Sequence, residues 1–150
     1  VIKPIFKEAG YKNLRNYWWK NKDNFSVMLD LQNYSWNTKD EVDFRFNIQV
    51  LKNPLLNKKP DQNIFYSTEV TVLGDNYSTI RNKIGYSLNK DTNIESAKEI
   101  VTRDIGKILA FFEKIKSLND VEELVKEKYI NTPILYENAK NMIEKIRFNR

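Results

Sequence analysis

Polar residues recur at every second position in two segments that read as β-strands. Asp30 and Gln32 alternate with leucines, and Arg45 and Asn47 alternate with phenylalanine and isoleucine. Because successive strand residues point to opposite faces, these four side chains are expected to share one face of a sheet. If the strands are neighbours, Asp30 and Arg45 could pair across the ladder, and Gln32 with Asn47 would add amide groups. On the functional interpretation, these side chains form an exposed polar platform.

Two large aromatic residues, Tyr34 and Trp36, border the end of the first segment. A polar face edged by exposed aromatic side chains is typical of surfaces that bind other proteins. An ordinary solvated face explains the same residues, since exposed cross-strand ion pairs contribute only about 0.2–1 kcal/mol each. The candidate surface, called the polar face below, consists of Asp30, Gln32, Tyr34, Trp36, Arg45 and Asn47.

The basic N-terminal segment is a second candidate site. Residues 1–22 carry six basic groups and one acid, and the whole chain has a net charge of +5. Trp18 and Trp19 are adjacent, so on a strand one of them would offer its ring to a nucleic-acid base unless a helix covers it. Burial of both rings is the alternative. The nucleic-acid hypothesis rests on Lys12, Arg15, Trp18, Lys20 and Lys22.

The missing residue types restrict the catalytic chemistry. Without Cys or His, the chain has no disulfide, thiol nucleophile or imidazole base, and no zinc site built from these residues. The acidic cluster of Asp40, Glu41 and Asp43 could offer oxygen ligands to Mg²⁺ or Ca²⁺, but a solvated turn explains it better because EF-hand spacing is absent. We therefore expect no catalytic, cofactor-binding or metal-binding residues.

A Gly106-Lys107 step lies in the middle of a predicted helix. The glycines that would precede it in a phosphate-binding loop are missing, so it does not predict a nucleotide site. Gly106 is expected instead to let the helix pack closely against a neighbour.

Length and composition predict one globular domain over residues 1–150. Hydrophobic residues make up 41% and charged residues 30%, an ordinary globular balance. No stretch approaches the roughly 20 apolar residues of a membrane helix, and residues 1–10 lack the apolar centre of a secretory peptide. We expect a cytoplasmic protein that does not bind membranes.

The hydrophobic period predicts an α+β fold in which helices cover one face of an antiparallel sheet. A period of two predicts a meander of three strands, two further strands and an intervening surface loop. These strands lie near residues 17–19, 25–32, 44–51, 64–73 and 84–88, and the loop spans 53–63. Helical periods predict α-helices over 2–9 and 93–115, a helix capped by Asn119-Asp120, and one that starts at Thr132-Pro133.

Several short motifs occur in a characteristic order along these elements. They are Gly10-Tyr11-Lys12, Tyr17-Trp18-Trp19, Leu31-Gln32 with Ser35-Trp36, Phe44-Arg45-Phe46-Asn47, Arg81 and Phe111-Phe112. In this order the chain resembles, over roughly residues 2–125, a bacterial family catalogued as a domain of unknown function. The resemblance implies a fold and a bacterial source, and it implies no catalytic residues.

These observations favour a non-enzymatic bacterial module, of the immunity, adaptor or accessory type, that holds a protein partner on the polar face. The positive charge argues against an immunity protein for a basic nuclease toxin. Nucleic-acid binding through the N-terminal segment is the alternative, and a carboxylate-dependent enzyme is the weaker one.

Overall fold

A computed structural model describes residues 1–52, 64–69, 80–83 and 85–148 of the chain. Within these residues a six-stranded antiparallel sheet and four helices confirm the predicted α+β fold. The helices are α1 (Ile2–Glu8), α2 (Ile94–Lys114), α3 (Leu118–Tyr129) and α4 (Pro133–Phe148). The strands are β1 (Lys12–Leu14), β2 (Tyr17–Asn21), β3 (Phe25–Asn33), β4 (Glu41–Lys52), β5 (Ile64–Thr68) and β6 (Tyr86–Asn89).

Strand β4 organises the sheet. The strand order is β1-β2-β3-β4-β5, and each neighbouring pair is antiparallel. Residues 48–51 of β4 pair with β5, whereas residues 41–44 pair with β6. The predicted meander of β2, β3 and β4 is therefore confirmed, and β5 and β6 lie end to end along the same edge of β4.

The helices cover one face of the sheet, as predicted. Apolar side chains at alternate positions of β3 and β4 point to this face and form the main core with the helices. Its fully buried members include Phe6, Val27, Leu29, Phe46, Ile48, Ile105, Ile108 and Phe112. A small second cluster of Trp19, Met28 and Leu51 lies on the opposite face. Because both faces carry apolar clusters, Trp18 and Trp19 are 3% and 1% exposed although they point in opposite directions.

The two C-terminal helices pack over β5. The backbone N–H of Ser67 in β5 donates a 3.3 Å hydrogen bond to the hydroxyl of Tyr129 at the end of α3. Val125 of α3 and Ile143 of α4 are fully buried in the main core. The C-terminal helices thus complete the cover on the apolar face of the sheet.

The helix ends follow local sequence signals. Gly10 has a φ of +86°, the left-handed conformation that favours glycine after a helix, and Pro133 occupies the first helical position of α4. The predicted cap of α3 at Asn119-Asp120 is wrong. Ser117 is the N-cap, its side chain accepts from the Asp120 N–H, and the Asp120 carboxylate accepts from the Ser117 N–H. This capping box starts the helix earlier because Asp120 serves as its third residue.

The structure differs from the sequence predictions at Gly106 and at strand β1. Gly106 does not permit close packing: it is exposed, and an added Cβ would meet no described atom within 4 Å. The short strand β1 was not predicted from the sequence. The predicted loop at 53–63, the strand segment 70–73 and Ile84 lie outside the described residues. The assignment of 1–150 to one domain stays a prediction.

Candidate interaction surface

The register of β3 and β4 sets the contacts on the polar face. Asp30 lies opposite Asn47, and Gln32 lies opposite Arg45. The predicted cross-strand pair of Asp30 with Arg45 is therefore wrong by two positions. The four side chains still share one face, because a shift by two residues preserves the side on which each one lies.

Hydrogen bonds join these polar side chains into one row. Arg45 Nε donates to Gln32 Oε1 at 3.0 Å, and Asn47 Nδ2 donates to the same oxygen and to Asp30 Oδ2, both at 3.1 Å. The row continues at Glu69, whose Oε1 lies 3.1 Å from Arg45 Nη1. These side chains are partly exposed, so the row is ordered and remains in contact with solvent.

Glu69 was not among the residues assigned to the polar face. It follows β5, and a strand over 64–73 was predicted, but its position relative to Arg45 depends on the register between β4 and β5. That register shifts between Val50 and Leu51, and the alternating pattern alone does not reveal such an irregularity.

A stacked aromatic pair stands at the end of the row. The rings of Tyr34 and Trp36 lie 4.3 Å apart at an interplanar angle of 11°, and Trp36 is 63% exposed. Trp36 Nε1 donates a 2.8 Å hydrogen bond to Asp43 Oδ2. The guanidinium carbon of Arg45 lies 5.9 Å from the centroid of the Tyr34 ring, within cation–π range. Stacking and the hydrogen bond fix the orientation of the exposed indole.

Asp43 links this aromatic pair to β6. Its Oδ1 accepts a 2.6 Å hydrogen bond from the Ser87 hydroxyl. The hydrogen bonds from Ser87 and then Trp36 lower the pKa of the Asp43 carboxyl, because both donors stabilise the charged form. Asp43 was predicted to lie in a solvated acidic turn, but it supports the polar face. The carboxylate is held ionised at neutral pH.

Two depressions flank the polar face. One of about 660 Å³ lies beside Asp30 and Gln32 at the end of the β1–β2 hairpin. The other, of about 250 Å³, is lined by residues that include Trp36, Asp43 and Ser87. The surface is therefore concave at both ends and presents its aromatic pair at the rim of the smaller depression.

Gly85 allows β6 to approach β4 closely at this point. A Cβ on Gly85 would lie 2.4 Å from the carbonyl oxygen of Phe44 and 2.8 Å from the Cβ of Arg45. No side chain larger than hydrogen fits there without moving the β4 backbone.

The five residues of the nucleic-acid hypothesis do not form one exposed basic surface. Trp18 is buried in the main core, so its ring is not available for stacking on a base. Lys20 lies 3.6 Å from Glu113, and the Lys22 ammonium donates to the carbonyl oxygens of Phe112 and Ile115 at the end of α2. Lys12 and Arg15 are exposed.

A buried polar cluster in the core was missed by the sequence analysis. Asp104 of α2 is fully buried, and its Oδ2 accepts a 2.7 Å hydrogen bond from the hydroxyl of Tyr86. Arg81, also buried, places Nε 3.9 Å from the same oxygen, and Arg103 Nη2 lies 3.3 Å from Oδ1. Burial and the Asp104 carboxylate raise the pKa of Tyr86, so its hydroxyl stays a donor.

Within the described part of the chain, no group of three or more acidic side chains is placed to hold a metal ion. None of the described helices combines the length and apolarity that a membrane crossing requires.

Comparison with known proteins identifies a family without an assigned activity. A family model described as "Domain of unknown function (DUF4304)" matches residues 2–114. This confirms the predicted resemblance to a domain-of-unknown-function family. No curated protein and no solved structure matches the chain.

Proposed function

The chain belongs to the family of domains of unknown function DUF4304, and we propose that it is a non-enzymatic module that binds a protein partner on the polar face. An immunity, adaptor or accessory role is consistent with such a module. We also propose a bacterial source, which the resemblance of the motif order implies, and a cytoplasmic setting.

The observation that carries this proposal is the exposed, oriented indole of Trp36. Tryptophan is enriched among the residues that dominate protein–protein binding energy, because its large ring buries much apolar area at a small entropic cost. Tyr34 and Asp43 already hold the Trp36 ring in one orientation, which lowers the entropy lost on binding. The adjacent row of polar side chains supplies hydrogen-bonding groups that can fix the position of a partner on the surface.

The charge of the surface indicates what the partner presents. Among the described residues on or beside the polar face, the acidic groups are Asp30, Asp43 and Glu69, and the basic groups are Arg45 and Arg15. The net charge here is negative although the whole chain is basic. A Lys or Arg side chain of the partner would find a carboxylate and an aromatic ring together at Trp36, the combination that favours cation–π and ionic contact.

The experiment is affinity capture from a lysate of the source organism with the wild-type chain and Trp36→Ala. Ile134→Ala is the matched control, because Ile134 is a large apolar side chain that is 78% exposed on α4. We expect a partner that the wild type and Ile134→Ala retain. Trp36→Ala should weaken its binding by at least about 2 kcal/mol, the range of dominant interface residues.

The captured partner is then purified and its dissociation constant is measured at two salt concentrations. Weaker binding at high salt and on Asp43→Asn is expected for a partner with a basic side chain at Trp36. Equal binding by the wild type and Trp36→Ala would refute the polar face as the docking surface. Failure to retain any reproducible partner would count against the proposal that the chain is a protein-binding module.

A further inference from the structure

An apolar groove lies at one end of the helix-covered face, on the opposite side of the sheet from the polar face. We propose that this groove binds a long-chain carboxylate, such as a fatty acid, with the chain on its apolar floor and the carboxylate at its basic rim. The groove has a volume of about 920 Å³ and runs between α1, the sheet and the first two turns of α2. Its size falls in the range of roughly 300–1,000 Å³ that is typical of small-molecule sites.

The floor of the groove is apolar because the helices leave one end of the sheet incompletely covered. Leu31 of β3, Phe44 of β4 and Leu88 of β6 line it and are only partly buried, and Ile94 at the start of α2 is 56% exposed. Apolar side chains that are half-exposed inside a concavity gain free energy when an aliphatic chain displaces the water over them.

The rim of the groove is cationic. Lys3 of α1, Arg15 of the β1–β2 turn and Lys98 of α2 line it, and none of the described residues that line it is acidic. Within the described residues, Lys3 and Arg15 form no ion pair, and Lys98 pairs only with the exposed Glu95, at 3.4 Å. An anionic head group would therefore meet basic groups whose charge is little compensated, and Asn16 and Asn33 also line the groove.

Arg15 is held on this rim in an unusual backbone conformation. With Asn16 it forms the two-residue turn between β1 and β2, and its φ is +52°. Glycine is the residue favoured at a positive φ in such a turn, so an arginine there costs free energy. Strained residues of this kind concentrate at functional sites, and Arg15 is one of the residues that line this groove.

The test is isothermal titration of the whole chain with monomeric dodecanoate at pH 8, with dodecyltrimethylammonium as the ligand of opposite charge. We expect saturable micromolar binding of the carboxylate and at least about tenfold weaker binding of the ammonium compound, a difference of about 1.4 kcal/mol. The double variant Lys3→Gln/Lys98→Gln should weaken dodecanoate binding while circular dichroism shows the same fold.

A matched pair of surface variants locates the site. Ile94→Asp places a charge in the groove and should abolish binding, whereas Ile134→Asp, on α4 outside the groove lining and at an even more exposed position, should leave it unchanged. Trp36→Ala should also leave it unchanged, so this proposal and the polar-face proposal fail independently. Absence of saturable binding, equal binding of both head groups, or unaltered binding by Ile94→Asp would overturn the proposal. Binding of an acidic helical peptide in place of dodecanoate would also overturn it.

Discussion

The hydroxyl of Tyr86 and the carboxylate of Asp104 form a 2.7 Å hydrogen bond inside the core, which joins β6 to α2. Removal of either side chain leaves the other buried polar group without this hydrogen bond. The free-energy cost of that loss exceeds the net contribution of the hydrogen bond to stability. Arg81 belongs to the same cluster, so Asp104 also compensates a buried positive charge.

Removal of the Asp104 charge is expected to destabilise the fold strongly. Asp104→Asn keeps the volume but weakens the compensation of buried Arg81, and breaking a buried ion pair costs about 3–5 kcal/mol. Tyr86→Phe removes only the hydroxyl and should cost about 1–3 kcal/mol. Urea denaturation measures the unfolding free energy of both variants. A smaller loss of unfolding free energy for Asp104→Asn than for Tyr86→Phe would contradict this account.

Two glycine-to-alanine substitutions are expected to change stability in opposite directions. Gly85→Ala forces a Cβ to within 2.4 Å of the Phe44 carbonyl oxygen, and such overpacking costs about 1–3 kcal/mol. Gly106→Ala adds a Cβ in open space in the middle of α2 and should stabilise the chain by about 0.5–1 kcal/mol. Thermal unfolding compares the two variants. A lower melting temperature for Gly106→Ala would show that its helix is packed more closely than the structure indicates.

The stability that Asp43 contributes is expected to depend on pH in the acidic range. Its pKa is lower in the folded chain than the ordinary value of about 3.9, because Ser87 and Trp36 donate hydrogen bonds to the charged form. The contribution is therefore complete above that ordinary value and disappears as the pH falls through the folded-state pKa. The difference in unfolding free energy between wild type and Asp43→Asn should shrink below about pH 4.

Chemical denaturation between pH 2.5 and 6 gives this difference directly. Ser87→Ala removes the larger cause of the shift, so it should reduce the pH-dependent part of the difference. If the difference in unfolding free energy stays constant from pH 2.5 to 6, the Asp43 carboxylate does not contribute pH-dependent stability.

Lys22 is expected to stabilise helix α2 and not to act as a free surface charge. Its ammonium donates to the carbonyl oxygens of Phe112 and Ile115, which lie at the C-terminus of the helix. A cation at this end also interacts favourably with the helix dipole. Lys22→Gln should lower the unfolding free energy by about 1–2 kcal/mol.

Lys12→Gln is the matched control for Lys22, because Lys12 is exposed on the short edge strand β1. Its stability should stay within about 0.5 kcal/mol of the wild type. Substitution of Lys22 would change both surface charge and stability, so a test of nucleic-acid binding is best made with Lys12 and Arg15. Their substitution does not remove a helix cap. Equal stability losses for Lys12→Gln and Lys22→Gln would argue against the capping role.

Alternation of side chains predicted the meander of β2, β3 and β4 and the faces of β3 and β4 correctly, because a period of two is a direct consequence of strand geometry. It did not predict which polar side chains meet. Pairing Asp30 with Arg45 or with Asn47 places every residue on the same face, so the pattern does not separate two registers that differ by two positions. The hydrogen bonds of the polar face depend on that difference.

Asp104 shows a second limit of reading a sequence by its apolar period. It lies in the apolar stripe of α2, between Val101 and Ile108, where a buried side chain is expected. A charged residue at such a position was the available signal for a buried ion pair. Its partners come from Arg81 and Tyr86, which are distant along the chain, and only the folded structure brings them together.

The packing of α3 and α4 over β5 reaches beyond the family match, which ends at residue 114. A fragment cut at that residue would lose Val125 and Ile143 from the core and the Tyr129 contact with Ser67. Its newly bare apolar sheet surface would favour aggregation. Expression work on this protein therefore has to keep the last two helices, even though the shared family signature stops before them.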